Sequence, residues 1–554
     1  MGRGVKAVLV GPIQQENLAL GYVASFARAR GHEVALVPYA RRADLDAAIA
    51  RVLAEAPDVV GLGIAFQNAV DDYVLFVRAL RERGFRGHLT CGGHVPTFCW
   101  EELMTELSEL DSVVRHDGEE TFAELLDAVG RGEPPRGIAG LVWREGERLV
   151  RGPVRTALAD LDALPRPNRS PEPYVVGGMV VDFLITARGC VGECSYCSIA
   201  AYTSEQRKPY RLRAPASVAD EIAFAHRERG ARVFFVQDDL FVLPGERQAI
   251  ARMQAIADAV RARGVRDAVY WIKGRPESVT PAVARAAREM GAIHMFLGVE
   301  NASAERLGYL GRTHLPIHND SAIDACRGAG IAASFNFMLF DPDCSLDDVA
   351  VTLDMAERNV DLPWNVCRTE VYSGTALRAR LEREGRLQGT WRSWGYRMRD
   401  PRAELLFRLL RVSLHERAFA MDSLLNRLIS LSFARQLHEA FFPGPETDAL
   451  AAAANALGAE VRLDTVRVLR AALDVARSLP IEDGTAARRF AVEQGLAIGA
   501  RDMRLRARTE ALWQHLLARG ALLAERRGLT SHAPAPSSTV PVKTRTAFGV
   551  ASGS

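Results

Sequence analysis

Short apolar runs of strand length alternate with helix-period segments through the first 150 residues. The runs are Ala7 to Val10, Val34 to Val37, Asp58 to Ile64, His88 to Cys91 and Ser112 to Val114. Between them lie amphipathic stretches at Glu16 to Arg30, Ala47 to Ala54, Tyr73 to Arg83 and Glu101 to Leu110. Alternation at this spacing predicts an N-terminal Rossmann-like, doubly wound parallel sheet, whose ligands sit at the carboxyl ends of the strands.

Residues 161–173 hold four prolines and predict an extended connector. A second α/β series follows, with strands at Val180 to Thr186, Val233 to Gln237, Ala268 to Ile272, Ile293 to Val299, Ala333 to Phe340 and Val366 to Tyr372. Ser217-Val218-Ala219-Asp220 reads as a capping box before a helix stopping at Gly230, and Thr280-Pro281 as an N-cap with proline at the first helical position. Six such units predict a (βα)6 partial barrel with its active site at the strand C-termini. From about Pro401 to Arg527 the chain is Leu-, Ala- and Arg-rich at helical period, which predicts an α-helical C-terminal domain. The expected organisation is 1–150 for the first sheet, 151–174 for the linker, 175–390 for the barrel, 391–528 for the helical domain and 529–554 for a disordered tail.

Composition removes several functional classes. The 554 residues carry 70 Lys+Arg against 68 Asp+Glu, so no broad basic surface argues for nucleic-acid binding. The longest apolar stretch, Val175 to Ala187, is interrupted by Gly177, Gly178 and Asp182, which excludes it as a membrane span. No secretory h-region opens the sequence. A soluble, cytoplasmic protein is expected, with no nucleic acid and no membrane among its partners.

The eight cysteines are too sparse for a disulfide scaffold, but Cys190, Cys194 and Cys197 fall within eight residues directly after the first strand of the second series. Three thiolates on one loop can converge on a metal centre. A structural zinc site needs four ligands and no second CxxC pair exists, although a remote His could complete a zinc knuckle. Chance clustering of buried cysteines is the other bland reading. An iron–sulfur cubane normally takes four cysteines, so three leave one iron open to a substrate or cofactor.

Thr186-Ala187-Arg188-Gly189-Cys190-Val191-Gly192-Glu193-Cys194-Ser195-Tyr196-Cys197 resembles the cluster loop of the radical S-adenosylmethionine (radical SAM) superfamily. The resemblance covers about Val180 to Thr375. It implies a 4Fe-4S cluster on the three cysteines whose open iron chelates SAM, with one-electron cleavage to a 5′-deoxyadenosyl radical. It also implies SAM contacts from Tyr196, from Gln237 and Asp238 at the second strand end, and from Glu300 at the fourth. Phe337 to Pro342 replaces the glycine-rich ending usual for the fifth strand. Arg368 and Glu370 on the sixth strand share a face and could reach into the barrel or form structural ion pairs.

The first domain lacks the G-x-G-x-x-G phosphate turn, so dinucleotide binding is disfavoured. It resembles the cobalamin-binding domain that precedes the barrel in a subset of radical SAM enzymes. That resemblance rests on Gln15 to Gly21, Gly61 to Ile64, Cys91 to Thr97 and Asp117 to Thr121, and it implies cobalamin contacts from Gln14, Ala65, Gly92, Gly93, His94, Gly118 and Glu119. No histidine follows the first strand in the Asp-x-His-x-x-Gly manner, so cobalt would lack that lower ligand; His94 and His116 are expected as ordinary loop histidines. The resemblance therefore implies a cobalamin-dependent radical SAM enzyme, foremost a methyltransferase acting on an unactivated carbon of a small molecule, served by an electron donor such as a flavodoxin or ferredoxin. A non-methylating cyclisation or rearrangement is the second reading. A non-catalytic cobalamin- or metal-sensing module is the third.

Overall fold

The computed structural model describes residues 4–12, 16–206, 210–481 and 484–529. Gln14 and the expected tail from Thr530 onward lie outside these residues. In chain order the strands are β1 Lys6–Gly11, β2 Glu33–Pro38, β3 Val59–Gly63, β4 His88–Gly92, β5 Ser112–Val114, β6 Leu141–Glu145, β7 Arg148–Arg151, β8 Tyr174–Val176 and β9 Met179–Leu184. They continue as β10 Ala187–Gly189, β11 Tyr210–Leu212, β12 Ala231–Val236, β13 Val269–Gly274, β14 Ala292–Glu300, β15 Ala332–Phe340, β16 Trp364–Arg368, β17 Leu387–Thr390 and β18 Ser393–Tyr396.

Two compact units result. The first runs up to Pro171 and takes in Ala187–Arg213 and Val371–Tyr396; the second holds Glu172–Thr186, Ala214–Glu370 and the chain from Arg397 onward. The linear sequence does not show that the cysteine loop groups with the first unit.

The first unit is built on a sheet ordered β2-β1-β3-β4-β5-β6-β7. Alternate residues of β1 serve opposite faces: Val8 and Val10 join Ile49, Phe76 and Leu80, whereas Ala7 and Leu9 join Ala24, Phe122 and Leu125. Burial on both faces explains the continuous apolar runs. The first five strands are parallel, as expected, and the order reverses about β1 and β3, where open sheets of this kind bind ligands. Two strands not expected from the sequence, β6 and β7, extend the sheet antiparallel at its edge. Their hairpin turns at Gly146, whose φ of +63° suits a tight connection. A second hairpin, β17–β18, straddles residue 390, where the barrel is expected to end and the helical domain to begin.

In the second unit β9, β12, β13, β14, β15 and β16 are parallel neighbours in sequence order, with β8 antiparallel at the edge. The six strands expected are present, and β16 ends earlier, at Arg368. The first and sixth do not pair, so the barrel is partial. Thr280 caps its helix through Val283 N at 3.3 Å, as its sequence predicts. The Ser217 capping box does not form. Pro215, preset for the first helical turn, starts that helix two residues earlier, with Ala214 extended before it, and the helix closes at Gly230 in the left-handed region.

Four helices follow, Pro401–Ser413, Leu424–Phe441, Pro445–Ser478 and Gly484–Arg526. A π-turn at His415–Phe419 brings Arg417 into the interior, where it donates to Asp502 at 3.0 Å and Asp464 at 2.5 Å. Helix Leu424–Phe441 is buried nearly all round, which marks a core element rather than a surface one. No helix among the described residues is long and apolar enough to cross a membrane.

Candidate cofactor and active site

The last residue of β9 and the cysteine loop are joined through Thr186. Both its backbone N–H and its hydroxyl donate to Asp238, which is buried just past β12. The Asp238 carboxylate thereby fixes the strand end from which the loop departs. Gln237 continues the β12 pairing by donating its N–H to Leu184 O at 2.8 Å.

The loop then forms β10, and Gly189 at φ +85° turns it toward Cys190. The Gly192 N–H donates to Cys190 Sγ at 3.3 Å, and the Cys197 N–H to Cys194 O at 3.1 Å. Cys197 stands at the N-terminus of helix Ser198–Glu205. None of the three is in a disulfide; Cys194 is buried and the other two half-buried, with Tyr196 half-buried beside them. Among the described residues no three His, Cys, Asp or Glu side chains are already drawn together around a metal position. The donor set nonetheless suits an iron–sulfur cluster, since backbone N–H groups directed at sulfur stabilise thiolate. The other five cysteines are poor candidates. Burial pushes the Cys99 thiol up to about 11 and those of Cys326 and Cys344 up to about 12, and raises Cys91 and Cys367 further still.

Within the first unit the cysteine hairpin is bonded to the loops after β4 and β5. Tyr202 meets His94 edge-on at 4.8 Å and His116 at 5.0 Å between ring centroids. Glu205 accepts from Arg115 at 2.8 Å and lies 3.0 Å from His116 Nε2. Burial, then the neighbouring Arg115, lowers the His116 pKa, so the ring is neutral near pH 7. Arg188 pairs with Glu119 at 2.6 Å, and Arg211 with Asp117 at 2.7 Å. Glu119 thus anchors the cysteine hairpin through Arg188. Sequence reasoning missed this ion-pair set because the partners lie some 70 to 95 residues apart.

The remaining cobalamin positions lie at the carboxyl edge of the first sheet. Ala65 is exposed after β3, Gly92 ends β4, His94 opens the next helix and Gly118 precedes helix Glu119–Arg131. Gly93 has φ +109°, and a Cβ there would stand 2.5 Å from Ile64 O. The close approach that requires glycine is therefore already present, to the backbone after β3.

In the second unit Glu300 ends β14 with φ +62°, a strained position for a non-glycine residue. Arg312 lies 3.8 Å from its carboxylate and donates to Gly298 O at 2.6 Å. A Cβ on Gly298 would sit 3.0 Å from Arg312 and 3.1 Å from Glu300, so the glycine keeps room for the pair. Asp341 after β15 is fully buried and bonds Arg306 at 3.2 Å, with burial pushing its carboxyl up to about 6. Arg368 has the structural role its sequence left open, stacked over Phe407 at 4.5 Å and 3.8 Å from Glu404.

A parallel half-barrel with a three-cysteine loop after its first strand defines a radical SAM protein, and comparison with known proteins agrees. The Radical SAM superfamily model matches residues 184–356 and the B12 binding domain model matches residues 6–126. The chain belongs to the cobalamin-dependent radical SAM enzymes, whose cofactors are a 4Fe-4S cluster, SAM and cobalamin. It is 28% identical over 367 residues to the uncharacterized methyltransferase PH0819 of Pyrococcus horikoshii, covering 65% of this chain and 77% of that protein. It is also 28% identical over 260 residues to the anaerobic magnesium-protoporphyrin IX monomethyl ester cyclase of Cereibacter sphaeroides, covering 45% of this chain and 41% of that one. The solved structure of the cobalamin-dependent SAM radical enzyme OxsB with aqua-cobalamin bound shares the fold, with a TM-score of 0.64, 14% identity, and coverage of 96% of this chain and 82% of that one.

Proposed function

We propose that the chain is a methyltransferase that uses SAM and cobalamin to methylate an unactivated carbon of a small molecule. The observation that carries this is the joining, in one chain, of a B12 binding domain to a radical SAM domain whose first strand runs into Cys190, Cys194 and Cys197. Similarity to PH0819, named a methyltransferase, supports it. When bound, the cofactors supply one-electron cleavage of SAM and a transferable methyl group. The chain's own residues would hold and orient them. Cys190, Cys194 and Cys197 would ligate the cluster, and the Thr186–Asp238 clamp would fix the loop's origin. Tyr196 and Gln237 would contact SAM, and Glu300, oriented by Arg312, would take its vicinal hydroxyls. Ala65, Gly92, Gly93, His94 and Gly118 would border cobalamin. A flavodoxin- or ferredoxin-like donor would supply electrons.

Anaerobic turnover with methyl-labelled SAM tests the reading: the product should gain one labelled methylene. Cys194→Ala should abolish both the cluster's visible absorption and deoxyadenosine release, and retained release would overturn the assignment. The cyclase relatives favour a second reading, rearrangement without methyl gain, which the same product mass would reveal.

A further inference from the structure

The inner face of the half-barrel is layered. Its lower layer, Phe235, Trp271, His294, Ser334 and Asn365, is buried under helix Leu424–Phe441. Phe433 of that helix packs edge-on against Phe235 at 5.2 Å and Trp271 at 5.1 Å. Gln436 accepts from Trp271 Nε1 at 3.1 Å and lies 3.1 Å from His294 Nδ1, and Asn365 donates to Asn426 at 2.9 Å. The helix is thus a floor. Two residues on along each strand the side chains return to the same face. That next position on each strand is Gln237, Lys273, Phe296, Asn336 and Cys367, and each is half-buried or exposed.

Lys273, one of four lysines in the chain, is the exposed member. It has no ion pair or side-chain hydrogen bond among the described residues, and the nearby cation Arg312 is already matched to Glu300. Asn336 Oδ1 is buried without a hydrogen-bond donor. A ligand that fills this layer displaces the water solvating the ammonium, which is unfavourable unless the ligand brings an opposite charge. Radical chemistry requires that water be displaced.

Resting on the reading above, we infer that the substrate carries an anionic group, a carboxylate or phosphate, which Lys273 receives above the helical floor, with a donor group directed at Asn336 Oδ1. The test is amine acetylation of the full-length reconstituted protein, followed by mass spectrometry of the Lys273 peptide with Lys6 as internal reference. Inorganic phosphate, butyrate and SAM are the separate probes. Phosphate or butyrate, at up to about 50 mM, should slow acetylation of Lys273 saturably and by at least ~5-fold, leaving Lys6 unchanged. Protection by phosphate alone assigns a phosphorylated substrate, and protection by butyrate a carboxylate. Phe296→Glu, which places a carboxylate on the adjacent strand about 5 Å away, should remove the protection. If neither anion protects, or if SAM alone protects and neither anion does, the inference is overturned. Deoxyadenosine release measured on the same preparation separates this from the radical SAM reading, since its absence would sink that reading without altering the labelling result.

Discussion

His294 offers a quantitative test of how tightly the barrel floor is sealed. Its ring stacks on Trp271 at 3.8 Å between centroids and bonds Ser334 at 2.7 Å, and burial pushes its pKa down to about 3. In the unfolded chain the imidazole titrates near 6.5. Between those values the unfolded state binds the proton and the folded state does not, so stability is intact above about pH 6.5 and falls as pH drops through the window. From about pH 7.5 to about pH 5 the unfolded state gains a factor of roughly 30, or about 2 kcal/mol, from this one ring. Other groups titrate as well, so the measurement is a difference. Urea unfolding of the wild type and of His294→Gln is followed at both pH values, using the transition that the substitution itself shifts. The wild type should lose about 2 kcal/mol more than the variant on acidification. Parallel losses, within ~0.5 kcal/mol, would mean that the folded ring protonates as freely as the unfolded one, and the sealed floor would be refuted.

Two further outcomes follow from the packing. Gly93→Ala forces a Cβ to within 2.5 Å of Ile64 O at φ +109°, so it should cost about 1–3 kcal/mol in urea unfolding of the first unit; an unchanged midpoint would show that the loop after β4 has room to move. Arg417→Met strands the buried Asp502 and should cost about 3–5 kcal/mol, with the Arg417→Met/Asp502→Leu pair recovering part of the loss; no recovery would show that Arg417 acts through packing rather than charge.

The alternation of apolar runs with helix-period segments was enough to specify both α/β series, because strands buried on two faces leave a local signature that needs no partner to be read. The cysteine triad was legible for a similar reason: its three thiols lie within one loop. The β6–β7 and β17–β18 hairpins were not, since antiparallel edge strands are short and their pairing is a tertiary fact. The Ser217 capping box misread a helix start that Pro215 sets.

Long-range pairing decided the rest. Asp238 reads from sequence as a polar strand end open to a ligand, yet its partner Thr186 lies 52 residues back. Glu119 reads as a loop carboxylate until Arg188 arrives from the cysteine hairpin. The all-round burial of helix Leu424–Phe441 makes it the floor of the half-barrel, which no helical periodicity announces. The sequence by itself determined the two α/β series and the grouping of three thiols on one loop, since both depend on neighbours along the chain. Only the tertiary structure decided which charges are already paired and which ammonium has no ion pair among the described residues, because desolvation and ion pairing depend on distance in space.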